Sequence, residues 1–317
     1  METIYFLVQQ TMLFSIPLLL VALGGMFSER SGVVNIALEG IMIIGAFTGI
    51  FFISRFGNLF SPTITLFIAI IISALSGLIF SLLHAYASIN MSADQVISGT
   101  ALNIFAPAFA IYVTRAIQVV QQISFVNNFR IESVPVLGNI PIIGNLLFKN
   151  AYITTYLGFI ILALSWFALY KTRFGLRLRS CGEHPQAADS VGINVYKMRY
   201  FGVAISGALA GIGGLVFVIP TSTNFNATVA GYGFLALAVL IFGQWKPIRI
   251  LYAAFFFGLM KTLASAYSGI PILSNLPISN SFYKMIPYIT TIIVLAFTSK
   301  NSQAPKASGL PYDKSVR

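Results

Sequence analysis

The chain has few charged residues, very few acidic ones and almost no cysteine. Only 9% of its 317 residues are charged and eight are Asp or Glu, whereas a soluble domain averages about 25% charged residues. The single cysteine, Cys181, excludes an intramolecular disulfide and a zinc site built from cysteines. The two histidines form no H-E-x-x-H motif, and no G-x-S-x-G elbow occurs. These absences argue against an enzyme.

A phosphate-binding loop is missing as well. The motif G-x-x-x-x-G-K-[ST] requires glycine before lysine, and the Lys-Thr pairs at Lys171 and Lys261 lack it. We therefore expect this chain to bind no cofactor, and any ATP and Mg²⁺ to be bound by partner chains.

Apolar residues are abundant instead. The chain is 57% hydrophobic with a mean hydropathy of +0.86, and each crossing of a bilayer takes about 20 apolar residues. The sequence predicts an all-α, polytopic membrane helix bundle with about nine transmembrane helices (eight to ten), forming one transmembrane domain over residues 1–300 and a flexible tail over 301–317. The predicted helices are 4–27, 33–54, 62–85, 94–114, 151–170, 200–220, 232–245, 247–267 and 282–298. The seventh is short and glycine-flanked, which is typical of a broken or re-entrant segment.

Positive charge predicts the orientation. The polar segment 171–199 carries six of the 19 basic residues, and the tail after Thr298 carries four more. Because Lys and Arg collect in cytoplasmic loops, both should face the cytosol, and the connections 115–150 and 268–281 should lie outside. The net charge of +11 is thereby explained without a nucleic-acid partner. Similar proline-rich stretches, VPVLGNIP at 134–141 and IPILSNLP at 270–277, suggest a duplicated unit.

The segment 171–199 has a pattern of its own. Residues 174–179 should continue the preceding helix as a basic extension, and Gln186–Val191 should form one or two further turns. Pro185 suits the first position of that short helix and Gly192 suits its end. A short helix at the membrane surface could receive a peripheral partner, whereas a solvated basic loop would serve only to set the topology.

A few polar residues fall within the apolar runs. Asn35 and Glu39 are four residues apart and share a helical face, and a carboxylate at that depth should face protein or water. Glu39 could line a pathway or pair with a backbone amide. Lys261 and Asn103 are further candidates for the translocation path. His84 and Asp94 suit capping or water contact. An ion- or proton-coupled transporter or channel that uses Glu39 or Lys261 without an ATPase is the alternative that these residues leave open.

Small residues recur in the sixth predicted helix. Gly202, Ser206, Ala210 and Gly214 repeat every four residues, and Gly207 and Gly211 add a second pair. This spacing predicts close helix packing.

Three motifs together resemble a known family. They are ERSGVVNIALEGIMIIGAF at 29–47, GLRLRSCGEHPQAADSVGI at 175–193 and AGYGFLALAVLIFGQWKP at 230–247. They are similar to the integral-membrane permease subunits of bacterial ABC importers for sugars, nucleosides and branched-chain amino acids, and nearest to the nucleoside type. Tyr232 stands where that family often has arginine, so a contact through that arginine is not carried over.

The resemblance implies a multi-pass protein of the bacterial cell (inner) membrane with a cytosolic C-terminus that imports a nucleoside or a similar small polar solute, such as a sugar. The implied partners are a cytosolic ABC ATPase, a second permease subunit of different sequence and an extracytoplasmic solute-binding lipoprotein. The segment 182–192 would be the coupling helix that docks on the ATPase. The implied ATPase contacts are Arg177, Arg179, Gly182, Glu183, Ala187, Ala188, Asp189 and Gly192, and the implied path residues include Asn35 and Glu39.

Overall fold

The computed structural model describes residues 2–126, 128–134, 138, 140–141, 144–266, 280–298 and 303–314. The helices are α1 (Glu2–Arg30), α2 (Leu38–Phe56), α3 (Pro62–Ala85), α4 (Gln95–Gln118), α5 (Ile153–Lys171), α6 (Arg173–Glu183), α7 (Pro185–Ser190), α8 (Val195–Thr221), α9 (Tyr232–Phe242), α10 (Pro247–Ala266) and α11 (Asn280–Thr298). Four short strands connect them: β1 (Ile123–Ser124), β2 (Arg130–Ser133), β3 (Lys149–Tyr152) and β4 (Asn224–Phe225). Single π-helical turns occupy Tyr86–Asn90 and Gly144–Phe148.

The bundle is built from helices long enough to cross a membrane. Within the described ranges seven helices are long and apolar enough to do so, namely α1, α2, α3, α4, α5, α8 and α10. Helix α9 has 11 residues and spans only about 16 Å, roughly half of the hydrocarbon layer. Helix α11 adds 19 residues. The polytopic helical bundle is confirmed, and the count of about nine stays a prediction.

Helix α8 lies at the centre of the bundle, packed against α1, α2 and α3. Its most apolar stretch is 83% buried, whereas that of α4 is 17% buried. The glycines permit this packing, because a Cβ on Gly45 of α2 would overlap the backbone of Gly211, and one on Gly77 of α3 would overlap the backbone of Gly207. The close approach predicted from the spacing of small residues is confirmed.

The largest departure from the predicted helices is a break between α1 and α2. Helix α1 continues to Arg30 and α2 begins only at Leu38, so residues 31–37 are turns and extended chain rather than the first turns of a helix. Gly32 adopts a left-handed φ of 100°, which stops a helix. Helix α8 begins at Val195 instead of residue 200, because the Asn194 side chain caps it by accepting a hydrogen bond from the Lys197 amide at 2.9 Å.

The predicted polar segment is largely helical. Residues 174–179 do not continue α5, because Thr172 is extended and its hydroxyl accepts from the Gly175 amide at 3.1 Å, which starts the separate helix α6. The short helix predicted next is confirmed as α7, with Pro185 in its first turn. Gly192 follows with a φ of 83° and donates to the Asp189 carbonyl at 2.9 Å, as a C-terminal stop should.

The segment 171–199 and the connection after α4 lie at opposite ends of the bundle. Helix α8 leaves the segment at Val195 and reaches β4 after 27 residues, a rise of about 40 Å. Strand β4 pairs with β1, which follows α4, through Ile123 and Phe225. This arrangement agrees with the predicted placement of 115–150 on the opposite side from 171–199. The second proline-rich stretch, 270–277, lies outside the described residues, as does part of the first.

Candidate functional site

The break at residues 31–37 is buried although its backbone is not helical. Val34 shows how peptide groups that lack a helical partner find hydrogen bonds with side chains. Its N–H donates to the Gln95 side-chain oxygen at 2.7 Å, and its carbonyl lies 2.9 Å from Nε2 of His84. Because a carbonyl only accepts, Nε2 of this histidine carries a proton, and the other ring nitrogen lies 2.7 Å from the Ser98 hydroxyl. Side chains of α3 and α4 thus replace the missing helical hydrogen bonds.

Two asparagines hold the remainder of the break. The Asn35 amide donates to the Ser206 hydroxyl at 2.9 Å, and its oxygen accepts from the Ala37 amide at 3.1 Å. Asn103 of α4 donates to the Ile36 carbonyl at 2.8 Å and accepts from the Gly40 amide at 2.7 Å. Each side chain therefore uses both its donor and its acceptor, and its partners lie in the break, at the start of α2 or on α8.

Glu39, in the first turn of α2 directly after the break, binds the short helix α9. One carboxylate oxygen accepts from the Gly231 amide at 2.9 Å and the other from the Gly233 amide at 2.6 Å. These amides belong to the first turn of α9, whose unpaired N–H groups and helix dipole favour a negative charge. The geometry therefore makes Glu39 the cap of α9, which is the backbone-amide pairing that the sequence left open.

Lys261 lies on α10 beside the start of α9. Its ammonium is 5.9 Å from the centre of the Tyr232 ring, within the range of a cation–π interaction. The centres of the Tyr232 and Phe217 rings are only 4.0 Å apart. The four predicted path residues therefore gather around the α1–α2 break and the N-terminus of α9, with Lys261 placed by aromatic contact rather than by a carboxylate.

The other end of α9 is tied to α1 through Trp245. The residues after α9 include Gln244 and Trp245, both with left-handed φ values near 50°. The Trp245 indole donates to the Glu29 carboxylate at 2.6 Å, and the Arg30 guanidinium donates to the Trp245 carbonyl at 3.1 Å. The last two residues of α1 therefore hold the α9–α10 turn in place.

Arg30 also reaches the α6–α7 segment. Its guanidinium forms an ion pair with the Glu183 carboxylate at 3.4 Å, and a Cβ on Gly182 would overlap the Arg30 carbonyl. Through these contacts, Arg30 joins the end of α1 to the α9–α10 turn and to the end of α6.

The residues predicted to contact an ATPase fall into three groups in the structure: exposed, half-buried and buried. Arg177, Glu183, Ala187 and Gly192 are exposed, whereas Gly182 and Ala188 are buried against the bundle. Arg179 is half-buried, with its guanidinium 4.9 Å from the Tyr170 ring centre. Asp189 is also half-buried. The surface that another protein could reach on α7 is thus formed by Gln186, Ala187 and Ser190.

Several positioning residues were not singled out by the sequence. Trp245 and Gln95 each bind a residue far away in the chain, so their spacing carries no local signal. The one local indication of these contacts was the charged pair Glu29–Arg30 at the end of an apolar run, since both residues bind Trp245. Asp94 is confirmed as a cap, since its carboxylate accepts from the Val96 and Ile97 amides at 2.8 and 2.9 Å.

The thiol of Cys181 is expected to resist alkylation in the folded protein. It is fully buried in α6, and burial raises its pKa to about 11. Since only the thiolate reacts, on the order of one thiol in a thousand is available at pH 8. N-ethylmaleimide should label it only after denaturation, as followed by mass spectrometry. The double variant Cys181→Ser, Ser190→Cys places an exposed thiol on α7 and should react at once. Equal labelling rates for the two folded proteins would contradict the buried position.

Comparison with known proteins agrees with this architecture. The family model of the branched-chain amino acid transport system permease component matches residues 7–295. The chain is 43% identical to a nucleoside ABC transporter permease protein of Lactococcus lactis over 315 residues, covering 99% of this chain and 98% of that protein. It is 44% identical to a guanosine ABC transporter permease protein of Bacillus subtilis over 313 residues, covering 98% and 97%. No solved structure matches it. Since the matched residues span almost the whole bundle, the chain belongs to the family of permease components of branched-chain amino acid transport systems.

Proposed function

We propose that this chain is the membrane-spanning permease subunit of an ATP-driven importer of nucleosides. The observation that carries the proposal is the short helix α7, which presents an exposed face. Contacts of Gly182 and Glu183 with Arg30 connect it to the end of α1, next to the α1–α2 break and the α9–α10 turn. The high identity to permeases named for nucleosides and guanosine supports this solute class. As a permease, the chain is a transport subunit and not an enzyme.

The proposed mechanism couples α7 to the bundle interior. ATP binding and hydrolysis on cytosolic partner subunits would move α7, and Gly182 would pass this movement to the last turn of α1. Arg30 and Glu29 hold the Trp245 turn, so α9 would shift together with α1. Glu39 links α9 to the start of α2. The half-helix α9 and the α1–α2 break would therefore change position together and open the path to one side or the other.

The partners follow from this role. The proposed importer has a cytosolic ABC ATPase below α7, a second permease subunit beside this chain and an extracytoplasmic solute-binding lipoprotein at the end that carries β1–β4. The proposed location is the bacterial cell membrane, with α6, α7 and the C-terminus in the cytosol. The basic residues of 171–199 and of the tail support this orientation.

Replacing Ala187 with arginine tests the docking role of α7. Ala187 is exposed on α7, whereas the acidic neighbours Glu183 and Asp189 have contacts within the chain, so Ala187 is the cleaner probe. In the purified transporter, Ala187→Arg should reduce guanosine-stimulated ATP hydrolysis by at least about tenfold, since a bulky charge at the centre of an interface excludes the partner.

The matched control is Ala116→Arg, which places the same side chain on an exposed position of α4 at the other end of the bundle. It should leave both the stimulated hydrolysis and the folded yield unchanged. Full stimulation of hydrolysis by Ala187→Arg would contradict docking on α7. Guanosine uptake into vesicles that contain this permease but no ATPase would instead identify a secondary transporter.

A further inference from the structure

The C-terminal strap, residues 303–314, lies across the same end of the bundle as α6 and α7. Three of its backbone amides donate hydrogen bonds to separate parts of the chain. The Gln303 amide donates to the Gln244 side chain at 2.8 Å, the Ala307 amide to the Gly182 carbonyl at 2.9 Å and the Gly309 amide to the Gly32 carbonyl at 3.2 Å. Although the sequence suggests a flexible tail, these twelve residues are fixed to the α9–α10 turn, to α6 and to the α1–α2 break.

Two side chains of α8 hold the far end of the strap. The fully buried Arg199 donates to the Leu310 carbonyl at 3.0 Å, and its guanidinium lies 5.8 Å from the Tyr312 ring centre. The Tyr196 hydroxyl donates to the Tyr312 carbonyl at 3.4 Å, and the two rings meet edge to face at 5.4 Å. These contacts bury Tyr312, which is 5% exposed, and hold it against α8.

A cavity of about 500 Å³ opens between the strap and α7. One wall comes from α7 and the residue before it, and the other from the strap. The lining residues are His184, Gln186, Ala187, Asp189, Ser190, Tyr312 and Lys314. Burial and the nearby Asp189 carboxylate raise the pKa of Tyr312, so the phenol stays protonated at neutral pH. The strap thus completes a surface that α7 alone does not form.

The lining suits a protein better than a small molecule. Small-molecule pockets are mostly apolar with a few polar groups, whereas this lining combines an acid, a base, an amide, an imidazole and a hydroxyl with only Ala187 and Tyr312 as less polar members. Mixed polar surfaces around a small apolar centre are typical of interfaces between separately folded proteins. The cavity also shares Gln186, Ala187 and Ser190 with the exposed face of α7.

We propose that the C-terminal strap forms the second half of the ATPase-docking surface, with Tyr312 as a fixed wall and Lys314 as a contact to an acidic group of the ATPase. This inference rests on the proposed function of α7. The strap proposal goes beyond docking on α7, because it assigns part of the docking surface to a segment more than 100 residues away in the chain. The ATPase would then hold α7, the α1–α2 break and the α9–α10 turn at once.

Charge reversal at Lys314 tests the proposal. Lys314 is exposed, so Lys314→Glu should fold normally. It should lower the guanosine-stimulated ATP hydrolysis of the intact purified transporter by at least about threefold, and the loss should be smaller in high salt because the contact is electrostatic. The ATPase subunits should also dissociate from the tagged permease more readily during washing.

Lys306→Glu is the matched control, since Lys306 is exposed in the same strap but does not line the cavity. It should retain wild-type hydrolysis. If both lysine variants behave like the wild type while Ala187→Arg loses stimulation, the strap proposal fails and docking on α7 stands. Equal losses in both lysine variants would also overturn it, because the effect would then reflect overall charge. If Ala187→Arg too is without effect, the proposed function itself fails.

Discussion

Removing the Glu39 carboxylate is expected to destabilise the protein and to stop transport together. In Glu39→Ala the Gly231 and Gly233 amides, which now bind the carboxylate at 2.9 and 2.6 Å, lose their partner in a buried site. Hydrogen bonds to a charged group contribute about 1.5–3 kcal/mol each, so the loss of two should lower the free energy of unfolding by about 3–6 kcal/mol. Glu39→Gln keeps one suitable oxygen and should show about half of this loss. Thermal unfolding in detergent and guanosine uptake would measure the two effects.

The control for this pair is Glu132→Ala, which removes an exposed carboxylate on β2 and should change neither property. The comparison also separates a cap from a pathway residue. A carboxylate that bound a proton or an ion without capping α9 would give a Glu39→Gln variant of normal stability and no uptake. That pattern would contradict the capping role derived from the geometry.

Replacing Gly45 with valine is expected to prevent folding of most of the protein. A side chain at this position would overlap the backbone of Gly211 on α8, and backbone cannot move aside as a flexible side chain can. Separating α2 from α8 would also strain the hydrogen bond from the Ser73 hydroxyl to the Gly45 carbonyl, now 2.8 Å long. Overpacking in a core costs about 1–3 kcal/mol and sometimes more, and here three helices share the contact. The fraction that elutes as a single folded species in gel filtration should fall at least about fivefold.

Ala108→Val is the matched control, because it adds a similar volume on the exposed side of α4. Its folded yield should equal that of the wild type. A Gly45→Val protein with normal yield and normal guanosine uptake would show that α2 and α8 are not in backbone contact.

The features that were correctly predicted depend on local chemistry. The apolar runs required helices because a bilayer offers no partner for the peptide groups. Pro185 and Gly192 bounded α7 through their own backbone preferences. The four-residue repeat on α8 indicated close packing because small residues on one face allow it. Each of these signals lies within a stretch shorter than 30 residues.

The features that were missed depend on distant partners. Residues 33–37 were predicted as the start of a helix because they begin an apolar run, and hydropathy does not reveal that Gln95, His84 and Asn103 bind peptide groups there. The flexibility of the tail 301–317 stays a prediction, but its described residues form hydrogen bonds with Gly182, Gly32 and Gln244, which no local pattern indicates. The prediction that 174–179 extend α5 is wrong, because the Thr172 hydroxyl accepts from the Gly175 amide and thereby starts a separate helix.

Composition and spacing alone settled that the chain is a polytopic helical membrane protein with a short helix between two basic stretches, because those properties are sums over local preferences. Only the tertiary structure decided what that short helix is connected to. Gly182 meets Arg30 and the strap, and Arg30 holds Trp245. Glu39 caps α9 by accepting from the Gly231 amide, 192 residues further along the chain. These contacts join segments that are remote in sequence, and a hydrogen bond between such segments is fixed by the packing of the whole bundle.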